Sequence, residues 1–336
     1  MKAMVLKKFA PIKENPLELV ELPNPEPGSE DVFIRIDVCG VCHTDLHTVE
    51  GDLPEVRLPI VPGHQVIGRV AKRGEKASRF KKGDRVGVAW LYSTDTTCAY
   101  CKRGNENLCP HARFTGYHEN GGYAEYMTAP AAYALPLDGV RMSPVEIAPL
   151  MCPGIAGYAA FKLTGAQEGD KLGLYGFGPT AYYVLKVAQS LGVEVYVSTR
   201  SRHNIESARR EGARWAANAA TEEMPCKLDA AILFPPAGNL VEPILSQLEK
   251  GGTLVMAPVS ASPIRIENYS ENLWGRNIRT LYNLSRSDAE EFFKIVDRLE
   301  LEMGTSPFLF KDLQDTLILA RQGKLEQPNA VIKISD

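Results

Sequence analysis

Five of the seven cysteines in this 336-residue chain, Cys39, Cys42, Cys98, Cys101 and Cys109, fall in one stretch together with His43, His47 and His64. The amino terminus has no long apolar core leading to a small-residue cleavage site. Thiols and imidazoles gathered in such a chain point to a metal before they point to a disulfide framework. Zinc takes sulfur and nitrogen donors, and a catalytic zinc keeps three protein ligands and an open fourth position. Cys42, His64 and Cys152 make such a set, with a hydroxyl (Thr44), a carboxylate (Asp45) and a second imidazole (His47) close to the first of them. Taken singly, Cys152 reads as a small buried side chain and His64 as a satisfied turn histidine. Their joint occurrence ahead of a nucleotide motif favours ligation.

That motif is Gly176-Phe177-Gly178-Pro179-Thr180-Ala181, a G-x-G-x-x-A pattern directly after the apolar run 171–175 and before a stretch with Ala181, Val184, Leu185 and Ala188 on one helical face. Gly176 permits the tight turn, Gly178 lets backbone approach a pyrophosphate, and Ala181 lets the helix sit close on its sheet. The helix amino terminus then faces the phosphates. A glycine turn can serve packing alone, but here the strand before it, the helix after it and a second strand ending about 20 residues on are all in place.

The elements that must position these groups differ along the chain. Before residue 150, short alternating runs at 32–38, 66–71 and 85–89, separated by turns such as Pro27-Gly28 and Lys82-Gly83-Asp84, predict a compact β-barrel or sandwich. After residue 151, strand-like runs at 171–175, 193–198, 230–234, 253–257 and 279–284 alternate with helical stretches such as 180–191, the mark of a parallel α/β sheet. Helices are expected near 289–299 and 313–322, with a last strand at 330–334. The hydrophobic share of 44% and charged share of 24% are those of a folded protein. With 38 basic against 41 acidic residues and a net charge of −3, nothing favours nucleic acid or an anionic membrane. No apolar run is long enough to span a bilayer, and the expected location is cytoplasmic.

Together, Cys-Gly-Val-Cys-His-Thr-Asp-Leu-His at 39–47, Pro-Gly-His at 62–64, the cysteine lobe at 95–109, Gly-Gly-Tyr-Ala-Glu-Tyr at 121–126, Cys152 and the glycine loop resemble the zinc-containing alcohol dehydrogenases of the medium-chain dehydrogenase/reductase superfamily. The resemblance covers essentially the whole chain. It implies an α/β protein in which a GroES-like β-barrel catalytic domain (1–152) is followed by an inserted Rossmann domain with a doubly wound parallel sheet (153–285) and completed by the segment 286–336. It implies Cys42, His64 and Cys152 as catalytic zinc ligands, Thr44 as the hydroxyl at the substrate oxygen, His47 as the outer end of a proton relay, and Asp45 as the carboxylate that orients the ligand histidine. His43 matches a cation near the cofactor pyrophosphate, and Trp90 or Leu91 an apolar substrate wall. The implied activity is hydride transfer between a nicotinamide dinucleotide and a small alcohol or its aldehyde or ketone, in a homodimer or homotetramer.

The chain departs from the family in two places. Gln65 follows His64 where the family carries glutamate, which removes a negative charge from behind the metal. In the lobe, Asp95 stands where the family has its first cysteine; zinc accepts carboxylate oxygen, so Asp95, Cys98, Cys101 and Cys109 are expected to form a structural site. The strand at 193–198 leads into Thr199-Arg200-Ser201-Arg202 with no acid before Glu206. Hydroxyls and guanidinium groups suit a 2′-phosphate, so Thr199, Arg200 and Arg202 favour NADP over NAD. Two other readings compete: a zinc-free reductase of the same superfamily, which has no need of Cys42, His64 and Cys152 together, and a non-catalytic scaffold, which has no need of Thr44 and His47 beside them.

Overall fold

The long strand Asp31–Val41 buries Val32, Ile34 and Ile36 and leaves Arg35 exposed, as period-2 alternation requires of a sheet with one covered face. It is the spine of a seven-stranded sheet in the order Thr305–Leu309, Asn329–Lys333, Asp31–Val41, Gln65–Arg73, Arg85–Val88, Leu135–Pro136, with Tyr126–Pro130 also paired to the spine. All of these pairs are antiparallel except the first. Register shifts at Phe33/Ile34 and Ile36/Val38 mark irregularities that bend such a strand. The core beneath it joins Val32, Ile34, Ile36, Val66 and Val86 to Leu313, Leu317 and Ile332 from the carboxy-terminal end. Each such side chain contributes roughly 1.5–3 kcal/mol on burial.

The structure is a computed structural model that describes residues 1–302 and 304–335. The chain divides into two units, Met1–Ile155 with Asn283–Asp297 and Glu302–Asp336, and Ala156–Tyr282 with Arg298–Leu301.

The second unit is built on a six-stranded parallel sheet in the order Trp215–Ala217, Glu194–Ser198, Lys171–Tyr175, Leu228–Leu233, Leu248–Met256, Asn277–Thr280. This is the doubly wound order, with its switch point between Lys171–Tyr175 and Leu228–Leu233. Leu172, Leu174, Val197, Leu233 and Leu254 are fully buried, as strands covered on both faces must be. The helix Pro179–Ser190 starts at the glycine loop with Pro179 in its first turn, where a missing N–H costs nothing.

The expected strand at 279–284 is displaced: the paired segment is Asn277–Thr280, and Asn283, at φ 53°, turns the chain away before Leu284 is buried in the first unit. The helix expected at 289–299 is Arg286–Ile295 followed by a short 3-10 turn, started by Ser285 and Asp288 in a reciprocal cap. Among the described residues no helix is long and apolar enough to cross a membrane.

Candidate active site

Cys42 closes the strand Asp31–Val41 and opens the helix His43–Glu50. Asp45, three residues in, turns back so that its Oδ2 accepts the Cys42 backbone N–H at 2.8 Å. The same carboxylate is 2 % exposed. Its Oδ1 lies 3.0 Å from His64 Nδ1, and Oδ2 also accepts from the Tyr123 hydroxyl at 3.0 Å. Three hydrogen bonds thus offset the cost of burying the charge. Gly63, at φ 95°, presents His64: a Cβ there would meet Cys39 Sγ and the Tyr123 ring at 2.9 Å. Cys152 follows the 3-10 turn Ala148–Met151.

The donor atoms of Cys42, His64 and Cys152 all lie within 4.8 Å of one another. Two sulfurs on a tetrahedral zinc, each about 2.3 Å from it, stand about 3.8 Å apart; Cys42 Sγ and Cys152 Sγ are 3.8 Å apart. His64 is 1 % exposed, and with Nδ1 held by Asp45 its Nε2 is buried with no hydrogen-bond partner among the described residues. A buried ring nitrogen left bare beside two thiols fits a metal ligand. Without metal, burial presses the His64 pKa down, but Asp45 and then Cys42 outweigh it and raise it to about 10. The hydrogen bond from Cys152, and then His64, hold Cys42 well below the usual thiol range, while Cys42 and burial push Cys152 well above it. A cation taking these ligands displaces their protons.

Around the triad, Thr44 Oγ1 lies 3.7 Å from Cys42 Sγ. His47, with its side chain 40 % exposed, pairs through Nδ1 with Asp52 Oδ2 at 2.9 Å. His43 is exposed on the first helical turn. Of the two apolar candidates, Trp90 stands at the site: its ring meets His64 edge-on at 5.0 Å and stacks on Phe114 at 5.1 Å, and its indole N–H donates to Asn283 Oδ1. Leu91 is buried in the cluster with Phe114, Tyr117 and Tyr133. Gln65 is buried over Gly40, its partner in the sheet register, where a Cβ would fall 2.2 Å from Gln65 Oε1.

The lobe gathers Asp95, Cys98, Cys101 and Cys109, whose donor atoms also lie within 4.8 Å of one another. Asp95 Oδ1 accepts the N–H groups of Cys98 at 2.9 Å and Thr97 at 3.0 Å, and these bonds, the first above all, hold its pKa down to about 2. Cys98 Sγ accepts from Cys101 N–H and Cys109 Sγ from His111 N–H, as thiolates in metal sites do. Four charged or chargeable donors with backbone N–H groups on the sulfurs fit a structural zinc.

In the second unit, a cavity of about 1030 Å³ opens at the carboxyl ends of the parallel strands, beside the switch point. Gly176, Gly178, Thr199 and Arg200 line it; Pro179, Thr180 and Ala181 form the helix start behind the loop. Gly176, at φ 90°, is needed as glycine because a Cβ would meet the Pro235 ring at 2.9 Å. Arg202 points elsewhere, 93 % exposed and paired with Glu206 at 3.0 Å along its own helix.

Residues 28–139 match the alcohol dehydrogenase GroES-like domain. Over 314 residues the chain is 41% identical to a probable alcohol dehydrogenase, AdhA, of Mycobacterium tuberculosis, spanning 92% of this chain and 90% of that protein. The chain belongs to the zinc-containing alcohol dehydrogenases of the medium-chain superfamily. As an alcohol dehydrogenase it moves hydride between a nicotinamide cofactor and an alcohol or the corresponding carbonyl. The fold of this dehydrogenase is shared with CAD from Helicobacter pylori complexed with NADP(H) (TM-score 0.84, 23% identity, 99% of each chain). It is also shared with a Geotrichum candidum acetophenone reductase in complex with NAD (TM-score 0.85, 20% identity, 99% of this chain and 96% of that one).

Sequence reasoning passed over two side chains of the dehydrogenase's candidate metal sites. Tyr123, fully buried, ties Asp45 in place from 78 residues away, and Thr94 sets its hydroxyl 3.3 Å from Cys101 Sγ and 2.7 Å from the Tyr133 hydroxyl. The tyrosine lay inside the matched run 121–126, a signal that could have found it.

Proposed function

We propose that this alcohol dehydrogenase carries its catalytic zinc on Cys42, His64 and Cys152, a structural zinc on Asp95, Cys98, Cys101 and Cys109, and takes NADP in preference to NAD. The observation that carries the first assignment is the bare, buried Nε2 of His64 beside two sulfurs 3.8 Å apart. Zinc at that position supplies Lewis-acid polarisation of the substrate oxygen. The chain's own residues do the rest. Asp45, fixed by Cys42 N–H and Tyr123, holds the His64 tautomer that leaves Nε2 free. Thr44, whose hydroxyl lies by Cys42 Sγ, hydrogen-bonds the substrate oxygen and relays its proton, giving up its own hydroxyl proton outward toward His47 as it accepts the substrate's. His47, steadied at Nδ1 by Asp52 and open to solvent, exchanges that proton with water. Trp90, packed against His64 and Phe114, keeps water from one side of the reacting centre.

The cofactor preference rests on Thr199 and Arg200, which border the cavity at the end of the strand Glu194–Ser198 without a carboxylate among them. His43 is placed in the same reading as a cation for the pyrophosphate. Because Arg202 is occupied by Glu206, Arg200 carries the 2′-phosphate contact. The protein is further read as a cytoplasmic homodimer or homotetramer, a reading supported by the strand Asn277–Thr280, which among the described residues lies at an edge of the six-stranded sheet. The test is a kinetic panel of primary, secondary and aryl alcohols with both cofactors, on wild type and Arg200→Ala. A charge-assisted contact is worth roughly 1.5–3 kcal/mol, so Arg200→Ala is expected to lower kcat/KM about 10- to 100-fold with NADP and little with NAD. Higher efficiency with NAD in the wild type, or an equal loss with both cofactors, defeats the NADP reading.

A further inference from the structure

Trp90 is held beside His64 by two kinds of contact. Some are between rings: it meets His64 edge-on with centroids 5.0 Å apart, stacks on Phe114 at 5.1 Å and 14°, and lies tilted against Tyr117 at 5.5 Å. The other is a hydrogen bond from its indole N–H to Asn283 Oδ1 at 3.1 Å, which spans 193 positions of the sequence within the first unit. Ring contacts keep the indole in its layer but do not choose its orientation there, because a half-turn about the Cβ–Cγ bond preserves the plane and exchanges one edge for the other. An indole has a single N–H and no acceptor, so one bond decides between the two orientations.

Asn283 is suited to be a fixed acceptor. Its backbone sits in the left-handed region at φ 53°, which asparagine tolerates better than most residues. The next two residues, Leu284 and Ser285, are buried, and Ser285 starts the helix Arg286–Ile295 in a reciprocal cap with Asp288. The amide therefore projects from a turn that is anchored on its carboxyl side. Neither the metal triad nor the large cavity of the second unit includes Asn283.

We propose that Asn283 is a positioning residue of the reaction site: by taking the Trp90 indole N–H it fixes the ring in one orientation and gives the site a flat, stationary wall that tells substrates apart by shape. This deepens the reading of Trp90 as a wall of the reacting centre and rests on it. Trp90 is only partly buried, so ring surface remains for a substrate to lie against. A planar substituent meets a flat aromatic surface with most of its atoms at contact distance, whereas a puckered ring of the same size meets it with fewer. A wall free to turn presents two different outlines in exchange and loses that advantage.

The test uses the full-length, zinc-loaded protein and two primary alcohols of the same connectivity, benzyl alcohol with a flat ring and cyclohexylmethanol with a puckered one. The ratio of their kcat/KM values is measured for wild type, Asn283→Gly, Asn283→Asp, Trp90→Phe and the double variant of Asn283→Gly with Trp90→Phe. Glycine adopts a left-handed φ without strain, so Asn283→Gly removes the acceptor and leaves the turn, while aspartate keeps an acceptor. Asn283→Gly is expected to lower the benzyl-to-cyclohexyl ratio about fivefold, the size of one aromatic contact, mainly through a higher KM for benzyl alcohol. Asn283→Asp is expected to keep the wild-type ratio. In the Trp90→Phe background, Asn283→Gly is expected to change the ratio no further, because its effect passes through the indole. A second measurement follows the indole N–H resonances in the ligand-free protein. That of Trp90, assigned through Trp90→Phe, is expected to exchange with solvent more slowly than that of Trp274, which is 65 % exposed, and to lose this protection in Asn283→Gly. An unchanged ratio in Asn283→Gly, an equal fall in Asn283→Asp, a further fall in the double variant, or a Trp90 N–H that exchanges as fast as that of Trp274 overturns the proposal. Trp90→Phe separates this from a failure of the reading beneath it: if that variant alone leaves the ratio where it was, or wild type turns over neither alcohol, the reading of Trp90 as a wall fails and both fall together.

Discussion

Tyr123→Phe removes one oxygen from the most enclosed part of the candidate metal site and leaves the ring in place. The hydroxyl donates to Asp45 Oδ2 at 3.0 Å and lies 3.3 Å from Gly40 O, and the residue has no exposed surface. A hydrogen bond to a charged group is worth roughly 1.5–3 kcal/mol, and no water reaches Asp45, 2 % exposed, to replace it. The substitution is therefore expected to destabilise the protein by about 2 kcal/mol. Asp45 would keep the Cys42 N–H and His64 but lose the bond that fixes its orientation, so the His64 ring gains freedom. Loss of a partner that orients a ligand histidine costs about 10- to 100-fold in metal affinity when the partner is direct. Tyr123 acts through Asp45, and the low end, about tenfold, is expected. Denaturant unfolding of the metal-free protein gives the first quantity, and competition with a zinc chelator gives the second. If unfolding shifts by less than about 0.5 kcal/mol and chelator competition is unchanged, Asp45 is not held as described and the orientation argument fails.

Gln65→Glu puts a carboxylate behind the proposed zinc triad in a buried position of nearly the same shape; the fold is expected to survive while turnover or zinc exchange changes, and stopped-flow chelation with steady-state kinetics would find the argument wrong if neither moved. Asp95→Asn keeps an oxygen for the N–H groups of Thr97 and Cys98 but gives up the charge, so the lobe is expected to hold zinc more weakly without losing its turn. Elemental analysis after mild chelation that returns the wild-type zinc content would remove Asp95 from the ligand set.

How much of this could be read beforehand depends on how local each signal is. The triad was legible because cysteine and histidine carry their chemistry in their identity, and because Cys42, Thr44, Asp45 and His47 share one short helix. The glycine loop was legible because its strand, turn and helix are contiguous. Tyr123 was not, since an aromatic residue reads as core and its contact with Asp45 spans 78 positions. The strand Trp215–Ala217 is too short to show alternation, and Thr305–Leu309 carries Pro307, which argues against a strand anywhere but an edge, where it lies. The strand expected at 279–284 had suitable residues, but the left-handed turn at Asn283 breaks the run, and periodicity does not register a turn of that kind at a non-glycine residue. Arg202 pairs with Glu206, its i+4 neighbour on the helix, a contact that the sequence offered only as the next acid along the chain.

The central claim, a zinc alcohol dehydrogenase whose catalytic metal sits on Cys42, His64 and Cys152, is tested most directly by zinc content measured alongside alcohol-dependent cofactor reduction in wild type and His64→Ala. The account predicts one zinc for each of the two donor sets in the wild type, and in His64→Ala the loss of one zinc together with all measurable turnover. A His64→Ala protein that keeps the wild-type zinc content, or that still reduces the cofactor with alcohol at a comparable rate, would contradict it.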